Sequence, residues 1–162
     1  MSVLGDLVRL DPELLEELRS VPGEAYDRLL EMDPEYRVDL DRDWAVLSFL
    51  MRTAGFPLDP MTAGQAFPDE DTAWGAGDDY PLSRSLTPPE VAQIADRLNR
   101  TSFDVLAPHL PAALAANDRS GVPLTAERLD GIGRLVGQRY AALVTFFDIA
   151  AKNAQCTVFW AA

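Results

Sequence analysis

The sequence predicts one α+β domain, mainly helical, with helices around a small sheet formed by short N-terminal, central and C-terminal strands. Three observations predict it. Several segments space apolar residues by three and four behind residues that start helices. Short β-rich runs stand near the N-terminus, before Thr87 and at the C-terminal end. The 162 residues, 48% hydrophobic and 25% charged, suit one core, and no repeat, low-complexity tract or Gly/Ser linker divides residues 1–162.

In chain order, Val3 to Leu10 alternates loosely as a short strand, weakened by Gly5. Asp11-Pro12-Glu13 reads as N-cap, N1 proline and first-turn acid of a helix running to about Arg19. Val21-Pro22-Gly23 breaks it. A second short helix with Tyr26, Leu29 and Leu30 inward ends at Asp33-Pro34. From Leu40 to Met51 the chain is apolar nearly all round after an acidic first turn that Asp41 can cap. It predicts the central, buried helix, with Trp44 against the core.

Residues 56–81 read as a long connection with prolines, glycines and acids. Pro81 to Leu86 predicts a strand, followed by a Thr87/Glu90 capping box around Pro88. Short helical pieces interrupted by Pro108 and Pro111 come next. The last helix starts at Thr125 and keeps Leu129, Ile132, Val136, Tyr140, Leu143 and Phe147 on one face, a rod of about 40 Å. Gly131, Gly133 and Gly137 within it predict a closely packed neighbour. Cys156 to Trp160 predicts a buried strand.

Charge narrows the function classes. The chain has 14 basic and 26 acidic residues, a net of −12. Residues 1–82 carry 19 acids against 6 arginines, a net of −13, and the remainder is near neutral at +1. Such a balance argues against nucleic acid, whose phosphates need a basic surface, and against an anionic membrane face. No run approaches the length of a membrane span, and Met1 to Asp6 show no secretory pattern, so the sequence predicts a cytoplasmic protein.

The ordered set Leu40-Asp41-x-Asp43-Trp44 with Leu47 and Phe49, then Pro81-Leu82-Ser83-Arg84, then Leu86-Thr87-Pro88-x-Glu90-Val91 with Ile94-Ala95, resembles the YfbM-like family. That family comprises bacterial domains of unknown function, and thirteen arginines against one lysine suit a GC-rich bacterial gene. The likeness extends over essentially the whole chain. Two departures stand out: the family's glycine- and methionine-rich opening is reduced to Val3-Leu4-Gly5, and its aromatic and proline turn is replaced by Ala107 to Asn117. The resemblance implies an α+β domain with helices around a small sheet, and supplies no catalytic residues.

Motifs of known chemistry are weak or broken. Asp39, Asp41 and Asp43 are spaced like the first ligands of a calcium loop, but Trp44 stands where glycine is needed and Leu50 where glutamate is needed. Gly131-x-Gly133 lies inside a helix with no strand before it, unlike a dinucleotide loop. His109 and Cys156 are single residues of their types, too few for a zinc cage or a disulfide. The sequence therefore predicts no metal, no cofactor and no catalytic residues.

Asp69, Glu70, Asp71, Asp78 and Asp79 flank Trp74 and precede Tyr80; the stretch reads first as a solvated acidic loop, with a recognition loop presenting an aromatic anchor among carboxylates, or a weak divalent-cation site, as the sharper alternatives. Two function classes follow. In the first, a non-catalytic binding protein engages a basic protein partner through its acidic half. In the second, a small-molecule binder or enzyme has a pocket between the central helix and the 56–81 loop, lined by Asp41, Trp44, Tyr80 and Arg84.

Overall fold

The computed structural model describes residues 3–67, 82–117 and 121–161. Its centre is a five-stranded antiparallel sheet in the order β2-β1-β5-β4-β3. The strands are β1 (Gly5–Leu10), β2 (Arg37–Asp41), β3 (Gln65–Ala66), β4 (Leu82–Leu86) and β5 (Cys156–Ala161). The first and last strands of the chain thus pair at the middle of the sheet, Leu7 opposite Phe159 and Val8 opposite Val158.

Alternation of side chains divides the apolar residues between two faces. Val8, Leu10, Cys156, Val158 and Trp160 pack under α1 (Pro12–Ser20) and α2 (Pro22–Leu30), which contribute Leu15, Leu18, Ala25 and Leu29. Leu7, Leu40, Leu86 and Phe159 face α3 (Trp44–Thr53), α4 (Pro88–Asn99) and α7 (Ala126–Lys152). The short helices α5 (Phe103–Leu106) and α6 (Leu110–Asn117) close that second layer through Leu106, Leu110 and Ala113. A sheet covered on both sides explains why all six residues of β5 are buried. The α+β reading with N-terminal, central and C-terminal strands holds.

Most helix boundaries follow the local chemistry. At α4 the Glu90 side chain accepts from the Thr87 N–H at 2.9 Å, and the Glu90 N–H donates back to Thr87 Oγ1. Thr125 likewise caps α7, a helix of 27 residues. Within α7 only part of the glycine expectation holds. A Cβ on Gly137 would come 3.2 Å from the Phe103 ring, whereas nothing lies within 4 Å of Gly131.

The start of α3 requires a correction. Asp41 is the last residue of β2, not a helix cap, and the helix begins at Trp44. Asp41 takes a left-handed backbone with φ of 50°, held by its N–H donating to Asp39 Oδ1 at 2.7 Å. Aspartate tolerates this conformation better than most residues, because its short side chain bonds the local backbone. The helix is nonetheless deep, with five of its ten residues buried.

Cys156 lies buried in β5, and burial pushes its thiol up to about 11 from an ordinary 9.0, with Arg19 opposing. Tyr140, whose hydroxyl donates to the Thr101 carbonyl at 2.6 Å, is pushed by burial from 10.0 to about 12. Both groups are neutral in the fold, so their contribution is fully present below the unfolded values and is lost as pH rises through the folded ones. Stability is therefore expected to fall between about pH 9 and 12. Melting curves of the wild type and Cys156→Ala check this, the variant falling less steeply between about pH 9 and 11. Labelling of Cys156 at neutral pH as fast as in urea would refute its burial.

Candidate functional site

Asp69, Glu70, Asp71, Trp74, Asp78, Asp79 and Tyr80 lie outside the described residues. Asp41, Trp44 and Arg84 are described, and the fold gives each a different setting.

Trp44 opens α3 and turns inward. Its ring centroid is 5.3 Å from that of Phe159, and its Nε1–H donates to the Val3 carbonyl at 3.1 Å. The backbone of β1 comes up against the indole, since a Cβ on Gly5 would lie 2.6 Å from the ring. Glycine is required there by the approach of the tryptophan. Arg84 sits in β4 opposite Phe159, so Trp44 and Arg84 share a neighbour. The Arg84 Nε is buried with no hydrogen-bond partner among the described residues.

Asp41 is drawn the other way, toward α7. Arg139 donates through Nη1 to the Asp39 carbonyl at 2.9 Å and through Nη2 to Asp41 Oδ2 at 3.3 Å. Its Nε lies 2.8 Å from Asp43 Oδ2. One guanidinium thus gathers the three residues that the sequence spaces like a calcium loop. Burial raises the Asp43 carboxyl above its ordinary value, while Arg139 pulls it down and the Asp41 charge adds to the rise. On the opposite face, burial and Asp39 raise the Asp6 carboxyl despite an ion pair with Arg37 at 3.4 Å.

The described part of the 56–81 connection packs onto α3. Met61 is fully buried and Phe56 nearly so. Asp59, one of the acids of that connection, is only 6% exposed. It accepts from Ser48 Oγ on α3, and from the Met61 N–H at 2.9 Å, with Arg52 Nε at 3.6 Å. Asp59 is therefore a tie between helix and loop and adds nothing to an acidic surface.

The layer of α1 and α2 and the turn after it carry many exposed acids. Residues 11–35 contain nine acids and two arginines, and all nine acids are exposed. Both arginines are engaged: Arg19 donates to Ser85 Oγ at 2.5 Å and lies over the Phe67 ring, and Arg28 pairs with Glu17 at 2.9 Å. The sequence showed the charge excess of the first half but placed its weight on the later loop.

Two arginines escaped the sequence reading. Arg139 falls three after Val136 and four before Leu143, at the margin of the buried stripe of α7, and that position is its only local signal. Arg9 interrupts the apolar run of β1 yet is only 9% exposed. It lines an open groove of about 400 Å³ between α7, the start of β2 and the turn before it. Among the described residues no group of three or more His, Cys, Asp and Glu converges as a metal site. No described helix is long and apolar enough to cross a membrane.

No curated protein matches the chain. Among solved structures it is similar to YfbM from Escherichia coli, a protein of unknown function, with a TM-score of 0.66 and 17% identity over 98% of this chain and 99% of that one. At that identity the likeness shows the fold alone, and it agrees with the family resemblance carried by the Asp41 to Trp44 and Thr87 to Glu90 segments. The family model for a domain of unknown function, DUF1877, matches residues 1–160, and the chain belongs to that family.

Proposed function

We propose that the chain is a non-catalytic interaction protein that offers an acidic surface to a basic protein partner. The observation that carries this reading is the exposure of all nine acids of residues 11–35, most of them on or beside α1 and α2, with both arginines of that stretch engaged. Like charges so placed repel one another and add little to folding, but their summed field steers a cationic partner. The acids of the 69–79 segment add to the net negative charge of the chain. Burial and a raised thiol pKa disfavour thiolate chemistry at Cys156.

Capture from the native host at low salt, followed by mass spectrometry, supplies the partner. Association is then measured for the wild type and for two neutralised variants at two salt concentrations. One variant combines Glu13→Gln, Glu16→Gln, Glu24→Gln, Asp27→Asn and Glu31→Gln. The other converts Asp69, Glu70, Asp71, Asp78 and Asp79 to Asn or Gln. The first is expected to slow association about tenfold or more at low salt, within the range of electrostatic steering, with little change in melting temperature. Equal and salt-insensitive on-rates in all three proteins would reject the proposal.

A further inference from the structure

Arg9 occupies a place where a charge is costly. Its neighbours in β1, Leu7, Val8 and Leu10, are buried and apolar, and Arg9 itself is nine-tenths buried. A buried guanidinium ordinarily meets a carboxylate. Among the described residues Arg9 meets none: its partners are Gln155 Oε1 at 2.9 Å, the Glu35 carbonyl at 3.3 Å and the face of the Tyr36 ring at 4.6 Å. Gln155 passes the interaction on, its Nε2 donating to Asp11 Oδ1 at 3.4 Å, so an acid is reached only through a neutral amide.

A guanidinium has five N–H groups, and these contacts occupy two. Nη1 and Nη2 each carry one of these bonds, Nε carries none among the described residues and is not enclosed, and the space Arg9 lines is the groove. The rest of that groove is largely apolar, with Val38 on one side and Ala142, Phe146 and Ile149 of α7 on the other. At about 400 Å³ it is the size of a small-molecule site.

We propose that this groove binds a monocarboxylate with an apolar body, its carboxylate on Arg9 and its body along Val38, Ala142, Phe146 and Ile149. The planar guanidinium fork matches a carboxylate in shape as well as charge. One negative charge is the fitting number. Arg37, which also borders the groove, directs its guanidinium to Asp6 and the Leu30 carbonyl, leaving Arg9 as the cation on offer. Glu35 borders the same space and the chain carries a net −12, both unfavourable to a dianion such as phosphate.

The probes are sodium octanoate, 1-octanol and octyl phosphate, titrated calorimetrically into the full chain. Octanoate is expected to bind at least tenfold more tightly than octanol, and more tightly than octyl phosphate. Arg9→Gln removes the cation and is expected to bring octanoate down to the level of octanol. Because that variant alters a buried residue, Ala142→Trp provides a second test at an exposed helical position: it fills the groove and is expected to abolish octanoate binding with the melting temperature unchanged. Octanoate binding that survives Ala142→Trp, octanol binding as tight as octanoate, tighter binding of octyl phosphate, or no binding of octanoate at millimolar concentration would each overturn the proposal.

Discussion

Phe159→Ala is expected to destabilise the protein by about 3–5 kcal/mol, the range for truncating a fully buried aromatic ring. Phe159 is 1% exposed in the middle strand of the sheet, flanked in register by Leu7 on β1 and Arg84 on β4. The cavity left behind has little means of closing. Trp44, packed at 5.3 Å, is tied by its hydrogen bond to Val3 and seated against the backbone of Gly5. Leu7 is held by pairing on both sides of β1. Urea denaturation at neutral pH measures the loss, with Val105→Ala, at a half-exposed position, expected to stay within about 0.5 kcal/mol. A loss below about 1.5 kcal/mol for Phe159→Ala would mean that Trp44 moves into the space and is not fixed.

The legibility of the fold follows the range of the interactions that make it. The Thr87/Glu90 box, the Asp11-Pro12 start and the stripe from Leu129 to Phe147 are written within a few residues of the structures they specify, and each is found where the sequence puts it. Strand β2 is different. Arg37-Val38-Asp39-Leu40-Asp41 alternates charged and apolar residues, as an edge strand protected from further pairing does. Asp41 also suits a helix cap, and the apolar run after it favours that interpretation. Aspartate is at home both as an N-cap and in a left-handed turn, so the local sequence does not decide between them. Pairing with β1 does, through Val38 opposite Leu7 and Asp39 opposite Asp6.

The candidate sites divide for the same reason. The Asp39, Asp41 and Asp43 spacing was visible as a cluster of carboxylates, but its partner Arg139 lies 98 positions from Asp41. Arg9 and Gln155 are separated by 146 positions. Asp59 looks like one more acid in a polar stretch until the loop folds back on Ser48. In each case a single charged side chain carries no periodicity, and its role depends on which distant element packs beside it.

Removing the guanidinium that gathers the three aspartates tests this most directly. Arg139→Leu is expected to cost about 1.5–3 kcal/mol at neutral pH, the scale of a hydrogen bond to a charged group. The helix margin still receives an apolar side chain, so the loss reports the carboxylates left behind more than lost packing. The dependence on pH carries the distinction. The Asp43 carboxyl already sits above its ordinary 3.8 because burial outweighs Arg139, so its ionisation works against the fold as pH rises through that raised value. Without Arg139 the carboxyl moves further up and the penalty at neutral pH grows. The deficit of the variant relative to wild type is therefore expected to be largest near pH 7 and to shrink as pH falls through the carboxylate range, where Asp43 is protonated in both proteins. Adding Asp43→Asn to Arg139→Leu is expected to recover about 0.5–3 kcal/mol at pH 7, the coupling range for residues in contact. Denaturation curves of the two variants and wild type between pH 4 and 7 decide it. A deficit that stays constant with pH, and no recovery in the double variant, would assign Arg139 to packing alone and dissolve the charge cluster as a feature of the fold.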